Sequence, residues 1–334
     1  KYINQVAFSS AEEFLEKYNN QDEQIIGHFG LGFYSSFMVA KNVEIITLSA
    51  IPESKSVKWE CDGSPSFKLE EYNKKEIGTE VTLYLSEDEL EYLEVIRIKS
   101  LITKYCDYMP IEIILEGEVC NKVIAPWKKT SKDITDNEYK EFYNYLYPFQ
   151  GDPLFWIHLN TDYPYNLQGI LYFPKITGRA DWEQGEIKLY SNQVYVSDSI
   201  KEVVPRYLLP LRGILDSPDI PLNVSRSALQ SDRRVKSIGN FVAKKVSSRL
   251  KEIKSEDKKF YCEIWESLSP FIKIGSIEDQ KFADLVEDLI MFPSSLQLKE
   301  DEIKEEDEII YSDNKVYTTI KGYIKRIKND SKKI

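Results

Sequence analysis

Gly27, Gly30 and Gly32 place three of the chain's 14 glycines within the six residues Gly27-His28-Phe29-Gly30-Leu31-Gly32. Glycine has no Cβ, so such a stretch can turn its N–H groups outward and let a ligand approach the backbone. The apolar pair Ile25-Ile26 leads in, and residues 33–40 have the pattern of a helix. A helix starting directly after the loop adds unpaired N–H groups and a partial positive charge. The combination points to an anion site, phosphate first. A tight turn feeding a buried helix would use the same residues. The order G-x-x-G-x-G reverses the dinucleotide fingerprint, and no Lys-Ser or Lys-Thr follows the last glycine. Neither a Rossmann turn nor a Walker A loop is therefore read here.

A second passage, residues 218–234, carries a different chemistry. Pro218 and Pro221 set an extended entry. Asn223 and Ser225 can bond neighbouring backbone and stiffen a loop. If Ser225 caps a helix, Arg226 and Gln230 share one face at its first turn. A fixed guanidinium beside an amide can hold a γ-phosphate. The same arginine could equally pair with a surface carboxylate.

The elements around these passages mix helix and strand without a strict βαβ rhythm, which predicts an α+β layer sandwich. Ser10 and Glu13 form a capping-box pattern ahead of a short helix bearing Phe14, Leu15 and Tyr18. Strands are expected over 42–49, 57–61, 66–69 and 78–85, with a turn at 62–65. A charged helical stretch over 86–108 and a strand over 111–115 follow. The segment 117–133, with Ala125-Pro126-Trp127, marks a boundary near residue 122. Beyond it, Thr135 and Glu138 make another capping box for a helix to residue 147. Strands are expected over 155–160, 167–173 and 188–196. Ile238, Val242, Val246 and Leu250 form an i+4 stripe on a helix over 237–254. Residues 256–292 read as a small helical bundle, 299–308 as an acidic solvated loop, and 320–327 as a basic helix.

Composition narrows the function classes. The 334 residues are 42% hydrophobic and 30% charged, an ordinary globular balance. A net charge of −11 and a pI near 5.0 argue against nucleic acid as the main partner. Cys61, Cys106, Cys120 and Cys262 form no C-x-x-C pair, and His28 and His158 stand alone, so no metal site or disulfide framework is expected. No apolar run is long enough for a membrane span and no signal peptide is visible. The chain begins at Lys1 in mid-pattern, so preceding residues are expected to be missing.

The two passages together carry a resemblance. Residues 26–35, Ile-Gly-His-Phe-Gly-Leu-Gly-Phe-Tyr-Ser, resemble the second glycine-rich motif of the gyrase, heat-shock-protein-90, histidine-kinase and MutL (GHKL) ATPase superfamily. Pro221-Leu222-Asn223-Val224-Ser225-Arg226 with Gln230 resembles the middle-domain catalytic loop of the heat-shock-protein-90 chaperones. Residues 191–198, Arg212-Gly213, Asp216-Ser217-Pro218-Asp219 and residues 152–156 are similar to the bacterial HtpG type. The likeness covers most of the chain and is weakest after about Ser294.

The resemblance implies a partial GHKL (Bergerat) α/β sandwich over 1–122, with a lid segment over 1–20. An α/β middle domain over 123–254 and a helical bundle with a following segment over 255–334 complete the expected organisation. It implies an ATP-dependent molecular chaperone of the cytoplasm, remodelling client proteins by ATP-driven clamp closure. Gly27, His28, Phe29, Gly30, Leu31, Gly32 and Phe33 would meet the ATP phosphates, and Thr79 would sit by the adenine. Arg226 would act on the γ-phosphate in cis, supported by Gln230 and Asn223. Ser227 stands where many relatives have glutamate. Trp127 corresponds to an exposed tryptophan linked to client contact. The family's catalytic glutamate, its Mg²⁺-binding asparagine and its adenine motif are expected upstream of this chain, which by itself is not expected to hydrolyse ATP. Homodimerisation is expected through a C-terminal domain outside the sequence, with no nucleic-acid or membrane partner. Two other readings stand beside this one: a catalysis-free fragment that binds clients or cochaperones, and a MutL- or gyrase-type ATPase.

Overall fold

The computed structural model describes residues 3–4, 30–175, 186–198, 204–220, 233–295, 309–312 and 315–326. The expected helix after Ser10, the lid segment apart from residues 3–4, Gly27, His28, Phe29, Asn223, Arg226, Gln230 and the acidic run lie outside the described residues. The chain divides into two compact units, residues 1–107 with 111–121, and residues 108–110 with 122–334. Helices and strands are mixed in both, an α+β composition.

The first unit is built on an antiparallel sheet of order β3-β2-β1-β4, from β1 (Ala40–Leu48), β2 (Val57–Cys61), β3 (Lys68–Glu71) and β4 (Gly78–Leu85). Val43 and Ile45 of β1 face the same side as Trp59 and Cys61 of β2, because successive residues alternate across a strand. Phe33 and Phe37 pack onto that side. The Asp62-Gly63 turn forms as expected, with the Ser64 N–H donating to Asp62 Oδ1 at 3.0 Å.

Three expectations for this unit are corrected. Residues 32–38 form a 3-10 helix (Gly32–Met38), not an α-helix. The Ser36 hydroxyl donates to Phe33 O at 2.5 Å within this turn. The stretch 86–108 is broken at Glu94, whose extended φ/ψ of −81° and 120° separates a 3-10 helix (Glu87–Leu93) from α1 (Val95–Tyr105). The strand over 111–115 shrinks to β5 (Ile114–Leu115), which pairs with β6 (Glu118–Val119) across a Glu116-Gly117 turn with φ of 49° and 85°.

The second unit holds a five-stranded sheet of order β10-β9-β11-β8-β7. Its strands are β7 (Phe155–Thr161), β8 (Leu167–Phe173), β9 (Ile187–Ser191), β10 (Val194–Ser197) and β11 (Arg212–Asp216). β9 and β11 run parallel, and the other pairs are antiparallel. The inner strand β8 is apolar almost throughout because both its faces are covered. Leu167, Leu171 and Phe173 face one core, whereas Ile170 and Tyr172 face the other. On the first side lie α3 (Arg233–Glu256), α4 (Lys258–Glu278) and α5 (Gln280–Val286). The stripe Ile238, Val242, Val246 and Leu250 is fully buried there. Each such side chain contributes roughly 1.5–3 kcal/mol. On the second side α2 (Asp136–Leu146) carries the expected capping box between Thr135 and Glu138.

The expected single strand over 188–196 is instead the β9–β10 hairpin. Asn192 and Gln193 form its two-residue turn with φ of 51° and 63°. The left-handed backbone of a tight hairpin turn is more accessible to Asn than to most residues, and the alternating pattern hid the reversal. A small sheet of β12 (Phe292–Ser294), β14 (Lys315–Thr318) and β13 (Ile309–Ser312), with α6 (Ile320–Arg326), follows the helices.

Strands β8 and β11 approach each other through two glycines. A Cβ at Gly169 would meet Ile214 O at 2.2 Å, and one at Gly213 would meet Ile170 O at 2.0 Å. Gly213 also has φ of 127°, which a side chain rarely tolerates. Gly213→Ala is therefore expected to lower stability by about 3 kcal/mol or more, from overpacking plus backbone strain. Urea unfolding followed by tyrosine and tryptophan fluorescence checks this, and an unchanged midpoint would refute the close-approach argument.

Candidate functional site

The glycine-rich passage is described from Gly30 onward. Gly30 takes the left-handed φ of 62°, and a Cβ at Gly32 would meet no atom of the described residues within 4 Å. The backbone at this point is open, as a loop that receives a ligand requires. The helix that follows has seven residues and 3-10 geometry, so the macrodipole expected of a longer α-helix is largely lost. Any anion here must depend on the loop's own N–H groups.

Aromatic packing fixes the direction of this helix. Phe37 lies against Gly63, 3.3 Å from where a Cβ would stand, and the Phe33 ring meets Trp59 at 5.7 Å. Trp59 pairs with Ile45 in the middle of β1. The helix thus runs back along the sheet and points its glycine end toward the end where Thr47 pairs with Thr79. Thr79 is exposed, with its Oγ1 2.8 Å from Thr47 Oγ1. By strand alternation Thr47 and Thr79 face the same side as Val43, Ile45 and the helix. Beside them Val81 and Leu83 are 53% and 38% exposed. An open backbone loop, a hydroxyl and two apolar side chains therefore share one side of a single sheet. This surface can receive an anion at one end and an apolar ring at the other.

In the second unit the described structure ends at Ile220, just before the passage with Asn223, Arg226 and Gln230. What leads into it is tightly held. Ser217 Oγ donates to Asn166 O at 2.7 Å, and the Asn166 N–H donates to Asp219 Oδ2 at 2.7 Å. The Asp219 N–H in turn donates to Ser217 Oγ at 3.2 Å. These bonds tie the end of β11 to the β7–β8 connection. After the passage the chain resumes as α3.

Trp127 is not the exposed contact that was expected. It is 0% exposed, packed at 4.7 Å from the Tyr108 ring and 5.3 Å from the Tyr190 ring. Its Nε1–H donates to Asp216 Oδ2 at 2.9 Å. The aromatic cluster shelters the apolar indole and the carboxylate satisfies its one polar group, so nothing is left to draw it to the surface. Buried in this way, Trp127 offers no surface for client contact.

Asp216 is a residue whose role the sequence did not disclose. It is 2% exposed and accepts from Trp127 Nε1 and from the Gln193 N–H at 3.1 Å. Its Oδ1 has no hydrogen bond among the described residues. Burial pushes its carboxyl above the usual range, against the opposing effect of the Trp127 hydrogen bond. Both ring nitrogens of His158 are engaged. Its Nε2 lies 3.3 Å from Trp127 O, and its Nδ1 lies 2.7 Å from the Tyr139 hydroxyl. A carbonyl only accepts, so Nε2 carries the proton and Nδ1 accepts from Tyr139. Burial holds the imidazole below its ordinary pKa, keeping it neutral. It is a structural link, not a base aimed at a ligand. Among the described residues no group of three His, Cys, Asp or Glu could hold a metal ion. None of the described helices is long and apolar enough to cross a membrane.

Comparisons with known proteins cover this architecture. The family model described as "Hsp90 protein" matches residues 111–334. "Chaperone protein HtpG" of Bacteroides fragilis is 49% identical over 307 residues, 87% of this chain and 45% of that protein. The protein of that name from Porphyromonas gingivalis is 47% identical over the same shares. The Escherichia coli O139:H28 protein is 32% identical over all of this chain and 54% of its own length. The chain spans about half the length of the curated relatives it matches.

The buried carboxylate makes a signed prediction about pH. A folded pKa raised above 3.8 means that Asp216 contributes most below that pH, and that its contribution is lost as pH rises through the folded value. Asp216→Asn keeps an oxygen for Trp127 and Gln193 and removes the titration. The variant is therefore expected to gain stability relative to the parent between about pH 4 and pH 7. Paired urea titrations at both pH values measure this, and a relative loss with rising pH would contradict it.

Proposed function

The chain belongs to the Hsp90 family, and from that premise we propose that it is the nucleotide-responsive part of an ATP-dependent molecular chaperone. The proposal concerns a longer protein of that kind, since the curated relatives are about twice as long as this chain. We assign Gly27, His28, Phe29, Gly30, Leu31, Gly32 and Phe33 to the ATP phosphates and Thr79 to the adenine, on a GHKL-type sandwich. Arg226 acts on the γ-phosphate, with Asn223 and Gln230 holding its loop. ATP binding biases the chaperone between an open and a closed form, so that nucleotide state sets client binding. Client proteins and a second copy of the same protein are the proposed partners, and the cytoplasm the proposed compartment.

The observation that supports the reading is that the helix beginning at Gly32 and the Thr79 side chain share one side of the first sheet, with no described residue against a Cβ at Gly32. Backbone N–H groups of a glycine loop suit phosphate oxygens. The Thr79 hydroxyl can accept or donate to a purine edge, and Val81 and Leu83 supply apolar surface beside it. Magnesium, when bound, neutralises charge between the phosphates. The chain's own share is to position them. The bonds of Ser217 and Asp219 support the Arg226 reading, because a rigid base is what a positioned guanidinium needs.

Two substitutions in the full-length protein test the assignment. Arg226→Ala should slow ATP turnover about tenfold or more with nucleotide affinity little changed, since a finger arginine acts on the transition state. An unaltered rate in a steady-state ATPase assay would remove Arg226 from catalysis. Gly32→Ala has room for its methyl group, so its thermal midpoint should stay within about 2 °C, as for surface substitutions. Its ATP affinity by calorimetry should nonetheless fall roughly tenfold, because the methyl intrudes where phosphate approaches the backbone. Unchanged affinity would return the loop to the status of a structural turn.

A further inference from the structure

β7 ends the five-stranded sheet: among the described residues it pairs with β8 alone. Its sequence Phe-Trp-Ile-His-Leu-Asn-Thr lacks the usual devices that protect a free edge. It contains no proline and no lysine, and its register with β8 is unbroken over seven pairs. The opposite edge strand, β10, is short and carries a register shift between Tyr195 and Ser197. One edge of this sheet is thus blunted and the other is not.

A groove of about 510 Å³ runs beside β7. The five consecutive residues Trp156, Ile157, His158, Leu159 and Asn160 all line it. Ile157 and Leu159 belong to the core under α3, whereas Trp156 packs on the α2 side. Residues of both faces can line one groove only if the groove follows the strand's edge. Five residues of edge measure about 17 Å, enough for a short extended segment.

The two walls differ in charge. On the α3 wall Arg249 is matched by Glu252 at 3.0 Å and Glu256 at 3.8 Å, but Lys245 has no ion pair among the described residues. On the α2 wall Asp136 likewise has none among them. A strand laid along β7 would alternate its side chains between these walls. We propose that the β7 edge is a strand-addition site for an extended polypeptide segment that presents acidic residues to Lys245 and basic or aromatic residues to Asp136 and Trp156. The main-chain ladder supplies affinity, and the two walls supply register and sequence preference. The site uses residues of the second unit only and does not depend on the nucleotide reading, so either can fail while the other stands.

The test uses the whole chain and a capped heptapeptide that alternates glutamate on one face with tyrosine and lysine on the other. Hydrogen exchange at saturating peptide should slow the alternate, outward-facing amides within Phe155–Thr161 at least fivefold, because these N–H groups of a free edge gain partners. Lys245→Glu changes one exposed side chain, so the fold should persist. It should weaken this peptide about fivefold or more and restore binding when the peptide's glutamates are replaced by lysines. The proposal is overturned if exchange at β7 does not change, if Lys245→Glu binds both peptides as the parent does, or if the chain pairs with itself through β7 and excludes the peptide.

Discussion

The second unit is organised around one buried carboxylate. Asp216 closes β11, and its Oδ2 holds both Trp127 and the turn of the β9–β10 hairpin. Moving a charge out of water costs several kcal/mol unless hydrogen bonds offset it, so the groups that bond it are constrained to stay. Trp127 in turn supplies the carbonyl that meets His158, which is bonded to Tyr139 of α2. A line of polar contacts therefore runs from the last residue of β11 through the aromatic cluster to the helix covering that side of the sheet. The residues just after Asp216, Ser217 and Asp219, then fix the chain entering the segment of Arg226.

The first unit depends on a different constraint, the packing of two phenylalanines on a sheet whose fourth strand is open. Phe33 and Phe37 anchor the 3-10 helix against Trp59 and the Asp62-Gly63 turn. That anchorage turns the glycine end of the helix toward Thr79 and leaves Gly32 unobstructed by the described residues. A seven-residue 3-10 helix adds little dipole, so an anion there relies on local N–H groups. The same side of the sheet carries the exposed side chains of Val81 and Leu83, two of many exposed apolar residues in this unit.

Much of the architecture was legible in the sequence. β2, β4 and β8 fall at the boundaries that alternation gave, and the Thr135 capping box and the α3 stripe form as read. These signals are local, because they depend on spacing along one element. The errors share a cause. The 3-10 geometry of Gly32–Met38, the break at Glu94 and the left-handed Asn192-Gln193 turn each change the backbone without disturbing the apolar pattern. At the site, the openness of the glycine loop could be anticipated from glycine alone, whereas the shared side of Gly32 and Thr79 needed the register of β1 with β4.

By itself the sequence determined composition class, most elements and, through two ordered motifs, the family. These follow from residue type and short spacing, which the chain carries wherever it is read. Tertiary structure alone decided the state of Trp127, Asp216 and His158. Trp127 and Asp216 stand 89 residues apart, and no local pattern announces that one will satisfy the other's hydrogen bond. Whether a tryptophan faces water or a carboxylate titrates normally depends on what the fold brings beside it, since burial and partner together set the cost of each state.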